Sequence, residues 1–268
     1  MSNDLIQKQD VVKEHFGWEV PVEVVPLPSR GMVYGPDSPL HGREMLEIKS
    51  MTANEEDILM SPALIKQGKV LNTLLSACLI DKSIDPDELL SGDRNALMVA
   101  IRITGYGSDY TVQTTCPNCS ARRPQTYDLA ELAIKRLILK PVDESGSIFE
   151  FDLPVTKKKV YFKFLSGKEE AERSLFIERM KKVTGGSGVD KGVTSKLEYQ
   201  IVAIDGVTDG NAVRQFISKM PARDSKSLRR YIGEHEPGID MNVNMKCPEC
   251  GHQGDVSLPI GASFFWPE

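Results

Sequence analysis

The chain has 268 residues, 40% of them hydrophobic and 26% charged, with a formal net charge of −5. That length allows one large domain or two small ones, and the composition supports an ordinary packed core. An acidic chain with a pI near 5.6 carries no overall electrostatic footprint for nucleic acid or an anionic membrane.

Residues 1–21 read as an N-terminal arm. Met1-Ser2-Asn3-Asp4 is polar and lacks the apolar centre of a signal peptide. Apolar runs such as Ala96–Ile101 are far too short to span a bilayer, so a cytosolic chain without a membrane partner is expected.

Residues 22–128 read as a first unit. Leu27-Pro28-Ser29 closes one strand, and Leu46-Glu47-Ile48-Lys49 forms the next, across the Gly/Pro-rich loop Gly31–Gly42. Thr52 and Glu55 are spaced as a capping box, in which the hydroxyl caps the N3 amide and the glutamate reaches back. Ala77-Cys78-Leu79-Ile80-Asp81 reads as the end of an apolar helix, and Asp93 as the N-cap of another. Asp109–Thr114 alternates like a strand and runs into Cys116-Pro117-Asn118-Cys119.

Residues 129–147 read as a connector, and residues 148–259 then repeat the same order. Leu153-Pro154-Val155 matches Leu27-Pro28-Ser29, and Val160-Tyr161-Phe162-Lys163 matches Leu46–Lys49. Ser166 and Glu169 form a second capping box. Val202-Ala203-Ile204-Asp205 reads, like its counterpart, as a helix end, and Asp224 as a second N-cap. Asp240–Met245 leads into Cys247-Pro248-Glu249-Cys250. Matches that keep chain order mark an internal repeat. The expected fold is therefore α+β: two similar hairpin-plus-helices halves joined by a shared four-cysteine zinc ribbon. Thr184–Gly192 is an insertion that reads as a flexible linker; it lacks the Gly-Lys-Ser/Thr ending of a phosphate loop.

Residues 260–268 form an aromatic tail. Phe264, Phe265 and Trp266 either fold back on their own domain or serve as docking anchors for a partner, since aromatic side chains dominate interface energetics.

Cys116, Cys119, Cys247 and Cys250 supply the ligand count of one closed tetrahedral zinc site. In a reducing cytosol, CxxC pairs hold metal more often than they form disulfides. Proline at the second position stiffens each turn, and Gly251 supplies a permissive φ. Four cysteines leave no open coordination position, so the Zn2+ is expected to be structural. His252 is a further ligand candidate, read in preference as a turn residue. Lys246, Arg122 and Arg123 flank the thiolates and could offset their charge. If each knuckle ends one copy of the repeat, the four sulfurs should converge on one point, with the flanking units related by an approximate twofold.

No catalytic constellation is visible. Cys78 lies in an apolar stretch without a neighbouring base. Glu55-Glu56 and Glu169-Glu170 occupy first helical turns, where the helix dipole explains them. The histidines form no recognisable active-site pattern. A non-enzymatic chain with no small-molecule substrate is expected. The alternative is a zinc-ribbon nucleic-acid-binding regulatory protein using Arg122-Arg123 and Arg229-Arg230-Tyr231, against which the overall acidity argues.

Three segments carry a family resemblance: Leu27–Tyr34, Pro39-Leu40-His41-Gly42, and Met51-Thr52-Ala53-Asn54-Glu55-Glu56-Asp57-Ile58-Leu59. With Ser61–Gly68 and the Cys-Pro-x-Cys turns, they resemble the T4-like bacteriophage baseplate hub and tail-assembly proteins. The resemblance implies a virion-assembly role at the baseplate hub, with other phage baseplate and tail proteins as partners. It also implies a location in the host cytoplasm during assembly or in the virion tail baseplate. It brings no catalytic residue with it.

Overall fold

The computed structural model describes residues 17–183 and 192–265. The linker read at Thr184–Gly192, apart from its last residue, and Trp266 lie outside the described residues. The fold is α+β. Among the described residues, no helix is long and apolar enough to cross a membrane.

The first half opens with the antiparallel pair β1 (Val22–Pro26) and β2 (Met45–Lys49). Alternation puts Val25, Leu46 and Ile48 in the core and Val22, Val24 and Met45 outside. In the intervening loop Gly31 is required: its φ is +70°, and a Cβ there would lie 2.4 Å from the Arg43 backbone nitrogen. Four helices follow, α1 (Ala53–Met60), α2 (Pro62–Gln67), α3 (Val70–Cys78) and α4 (Ser91–Tyr106), then the hairpin β3 (Asp109–Thr115) and β4 (Arg122–Asp128).

In the connector, β5 (Ile134–Lys135) leads to β6 (Phe149–Asp152) and β7 (Lys159–Phe162). Next come α5 (Gly167–Val183), α6 (Gly192–Gln200), β8 (Ile201–Ile204), α7 (Gly210–Lys219) and α8 (Ala222–His235). The short β9 (Gly238–Ile239) pairs with β5, and β10 (Asn242–Lys246) forms a hairpin with β11 (Gln253–Ser257).

The registers of the two opening hairpins correspond. Val24–Glu47, Val25–Leu46 and Pro26–Met45 stand where Glu150–Tyr161, Phe151–Val160 and Asp152–Lys159 stand in the second half. Both capping boxes form: Glu55 accepts from the Thr52 N–H at 2.9 Å, and Glu169 accepts from the Ser166 N–H at 3.1 Å. Each glutamate also pairs with the lysine that ends the hairpin, Lys49 and Lys163 respectively.

Two sequence expectations are corrected. Ile201–Ile204 is not a helix end: α6 stops at Gln200, and the β-branched run joins the open edge of β7 as β8, burying Ile201, Ala203 and Ile204. In the first half, Leu79 makes a single bridge to Ile48 in the comparable place. Asp93 and Asp224 are not N-caps either. Leu90 and Pro221 hold those positions, and each aspartate sits two residues inside its helix, fully buried. Each reaches instead to the chain just after the first strand of its half. Asp93 accepts from the Ser29 N–H at 2.9 Å, and Asp224 accepts from the Val155 N–H at 2.7 Å and the Thr156 N–H at 3.0 Å.

One apolar core contains residues of both halves, among them Leu27, Leu74 and Ile101 with Phe162, Ile204 and Leu228. Helix α4 lies where the halves meet. At Gly92 a Cβ would sit 1.8 Å from the Pro237 carbonyl oxygen, so only glycine lets the backbones approach. Farther along α4, Arg102 is 2% exposed and donates to the carbonyls of Phe264 (3.1 Å), Gly107 (2.8 Å) and Asp109 (3.0 Å). This guanidinium holds the C-terminal segment against the helix. Phe264 and Phe265 are fully buried, with Phe264 edge-on to Tyr110 at 5.0 Å between centroids. They take the fold-back alternative and are not an exposed docking peptide.

Candidate metal centre

Each knuckle is built the same way. At the end of β3, the Cys116 N–H donates to the Ala121 carbonyl at 2.9 Å and the Ser120 N–H to the Cys116 carbonyl at 2.9 Å. At the end of β10, the Cys247 N–H donates to the His252 carbonyl at 2.8 Å and the Gly251 N–H to the Cys247 carbonyl at 2.9 Å. The fifth residue of each turn is left-handed, Ser120 at φ 59° and Gly251 at φ 70°. Glycine adopts that conformation freely, whereas a residue with a Cβ does so at a cost of about 1–2 kcal/mol. In each pair the first cysteine is buried and the second is exposed.

The four sulfurs lie within 4.8 Å of one another. Across the knuckles, Cys116 lies 3.7 Å from Cys250 and Cys119 lies 3.7 Å from Cys247. A tetrahedron with metal–sulfur bonds of about 2.3 Å has edges of about 3.8 Å. The donor set and its spacing therefore fit a single thiophilic cation drawing two ligands from each knuckle. The same spacing exceeds the S–S bond of about 2.05 Å in a disulfide.

Further contacts join the knuckles. Arg123 pairs with Glu249 at 2.5 Å, Gln125 donates to the Lys246 carbonyl at 3.0 Å, and the Asn118 amide lies 3.6 Å from the Cys250 sulfur. Met245 packs beneath the thiols with Cys116 and Cys247. The Asn118 hydrogen bond contributes most to holding the Cys250 thiol down at about 6. At Cys119 the Ala121 backbone hydrogen bond acts downward, but the other cysteines and desolvation outweigh it and push the thiol up to about 12. With Cys250 favoured as a thiolate, Cys119 resists ionising beside it without a cation to balance the charge.

Both knuckles lie inside the region that matches a known family: the model of the family described as "T4 bacteriophage base plate protein" matches residues 34–266. The chain belongs to this family. Comparison with curated proteins and with solved structures gave no match.

The remaining candidate residues of this baseplate protein are placed as follows. His252 contributes its carbonyl to the turn and does not join the thiol cluster. Cys78 is buried, and burial raises its thiol to about 12, the opposite of an activated nucleophile. Arg123 is engaged by Glu249, Arg230 pairs with Glu234, and Tyr231 packs on Phe151 at 4.6 Å. Sequence reasoning missed Arg102 and the reach of the two aspartates. The signal for Arg102 was a lone charge directly after the apolar run Ala96–Ile101.

Proposed function

We propose that the chain is a non-enzymatic component or assembly factor of the phage baseplate hub, in which one Zn2+ held by Cys116, Cys119, Cys247 and Cys250 clasps two halves of a duplicated unit. The observation that carries this reading is the convergence of two Cys-Pro-x-Cys turns, distant in sequence, at tetrahedral spacing. Corresponding hairpin registers, paired capping boxes, paired buried aspartates and matching knuckle hydrogen bonds support the duplication.

In this reading the first half runs over residues 22–128 and the second over 148–259, with 129–147 as connector. Zinc bound by four thiolates has no open position for a substrate or water. Its role is to fix the relative placement of surfaces that contact other baseplate and tail proteins. The chain acts in the host cytoplasm during assembly, or in the tail baseplate of the virion.

Mass spectrometry of purified virions beside infected-cell lysate tests the role. Presence in virions at a defined copy number, or in lysate complexes with tail proteins, is expected. A chain found with neither, and giving a salt-dependent DNA gel shift, would overturn the reading.

A further inference from the structure

We infer that the open edge and outer face of β1 form a docking strip for an extended strand of a partner chain, apolar and basic in character. This surface is separate from the metal clasp.

The ladder fixes which main-chain groups are available. Leu27 N–H donates to Glu44 at 2.8 Å and Ser50 N–H to Pro21 at 2.9 Å. By antiparallel alternation, Glu23 and Val25 then bond across to β2, while Val22 and Val24 aim their N–H and C=O groups away from it. The far side of β2 is already closed by the Ile48–Leu79 bridge and by the Ile80 N–H to the Glu47 carbonyl at 3.1 Å. Among the described residues, no strand pairs with the outer edge of β1.

The second half supplies an internal control. Strand β6 is also an edge, and it is guarded as proteins commonly guard edges, with charge. Glu150 and Asp152 stand where Val24 and Pro26 stand in β1, and Lys159 stands where Met45 stands. Lys159 pairs with Glu150 at 3.2 Å and with Asp152 at 3.3 Å. The first half replaces this guard with Val24 at 55% exposure and Met45 at 57%. With Val22, Val24 and Met45 exposed on its outer face and the Val22 and Val24 main-chain groups turned outward, this edge combines the two elements of strand addition: main-chain pairing and side-chain contact on alternate residues.

The occupant follows from the same residues. Antiparallel self-pairing centred on Glu23 would set that carboxylate against its own copy. Centring on Val24 would set Val22 against Pro26, which has no N–H to give. A second copy therefore fits poorly. The exposed Glu23 and Glu47 favour an incoming strand that carries lysine or arginine beside its apolar residues.

The test is amide exchange in the full-length 15N-labelled chain, titrated with a synthetic peptide of alternating lysine and valine. Exchange at Val22 and Val24 should slow by roughly tenfold near saturation. Val24→Lys, which puts a guarding charge on the edge and repels the lysines of the peptide, should abolish the slowing and leave the rest of the exchange pattern intact. A glutamate–valine peptide should have no effect. Unchanged exchange in the wild type, or equal slowing in Val24→Lys, would overturn the proposal. So would protection present without peptide that is lost on deleting residues 1–16, or that tracks dimer formation in sedimentation.

Discussion

Asp93 in the first half and Asp224 in the second occupy matching positions, are equally buried, and face different donors. Asp93 accepts from one main-chain N–H and from the hydroxyls of Ser29 and Tyr34. Asp224 accepts from two main-chain N–H groups and the Thr156 hydroxyl. At Asp93 burial outweighs the hydrogen bonds from Ser29 and Tyr34, and the carboxyl is held above its usual range. At Asp224 burial acts upward too, but the bonds from Val155 and Thr156 win and hold it below that range. A hydroxyl can turn to accept a proton from a neutral acid, whereas an amide can only donate. At these two matching positions the carboxyl is thus shifted in opposite directions, upward where desolvation outweighs the donors and downward where the main-chain donors outweigh it.

The proposed metal gives the largest way to break the comparison, because in that reading it clasps the two halves together. Structural zinc contributes about 10–16 kcal/mol of apparent binding energy, comparable to a typical domain stability of about 5–15 kcal/mol. Cys247→Ser should release the metal and expose the segment around β10 and β11 to limited proteolysis. Retained metal and retained resistance would mean that the halves are held by other contacts.

Asparagine at both aspartate positions sharpens the contrast. In Asp224→Asn the amide group must face a main-chain N–H, so a loss of about 3 kcal/mol is expected in urea unfolding at neutral pH. In Asp93→Asn the Ser29 and Tyr34 hydroxyls can reorient to accept, and about 1 kcal/mol is expected. The pH dependences should run oppositely. The depressed pKa of Asp224 gives stability that is present above the ordinary carboxylate pKa and lost as pH falls through the native value. The raised pKa of Asp93 gives stability that is present below the ordinary value and lost as pH rises through the native one. Equal losses with parallel pH profiles would remove the distinction.

Arg102 marks a further asymmetry. It lies nine residues beyond Asp93 (102 − 93 = 9), and the equivalent position beyond Asp224 (224 + 9 = 233) is Gly233. Only the helix of the first half carries this lock on the tail. Arg102→Met leaves the carbonyls of Phe264, Gly107 and Asp109 without their donor and should cost about 2 kcal/mol, between the two asparagine variants. Chymotryptic cleavage at Phe264 and Phe265 in this variant would locate the loss.

The capping boxes and the four thiols were legible in the sequence because each rests on local spacing: two cysteines three positions apart in each knuckle, a hydroxyl three residues before a glutamate. Less legible was what depends on the third dimension. Ile201–Ile204 could be helix or strand by composition, and the open edge of β7 decided it. Asp93 and Asp224 looked like caps because the rule sees only the helix they begin. Their partners, Ser29 and Tyr34 or Val155 and Thr156, are far away in sequence. The aromatic tail gave no local sign of its fate, which Arg102 settles for Phe264 from the middle of the chain.

The most direct measurement of the central claim is the metal stoichiometry and ligand field of the purified chain. One zinc per chain is predicted, and replacement by Co2+ should give the intense thiolate charge-transfer and tetrahedral d–d bands of a four-sulfur site. Both should be lost in Cys116→Ser and in Cys247→Ser alike, since each knuckle supplies half of the ligands. A chain without metal, or one whose cobalt spectrum survives substitution in either knuckle, would contradict a single metal shared by the two halves.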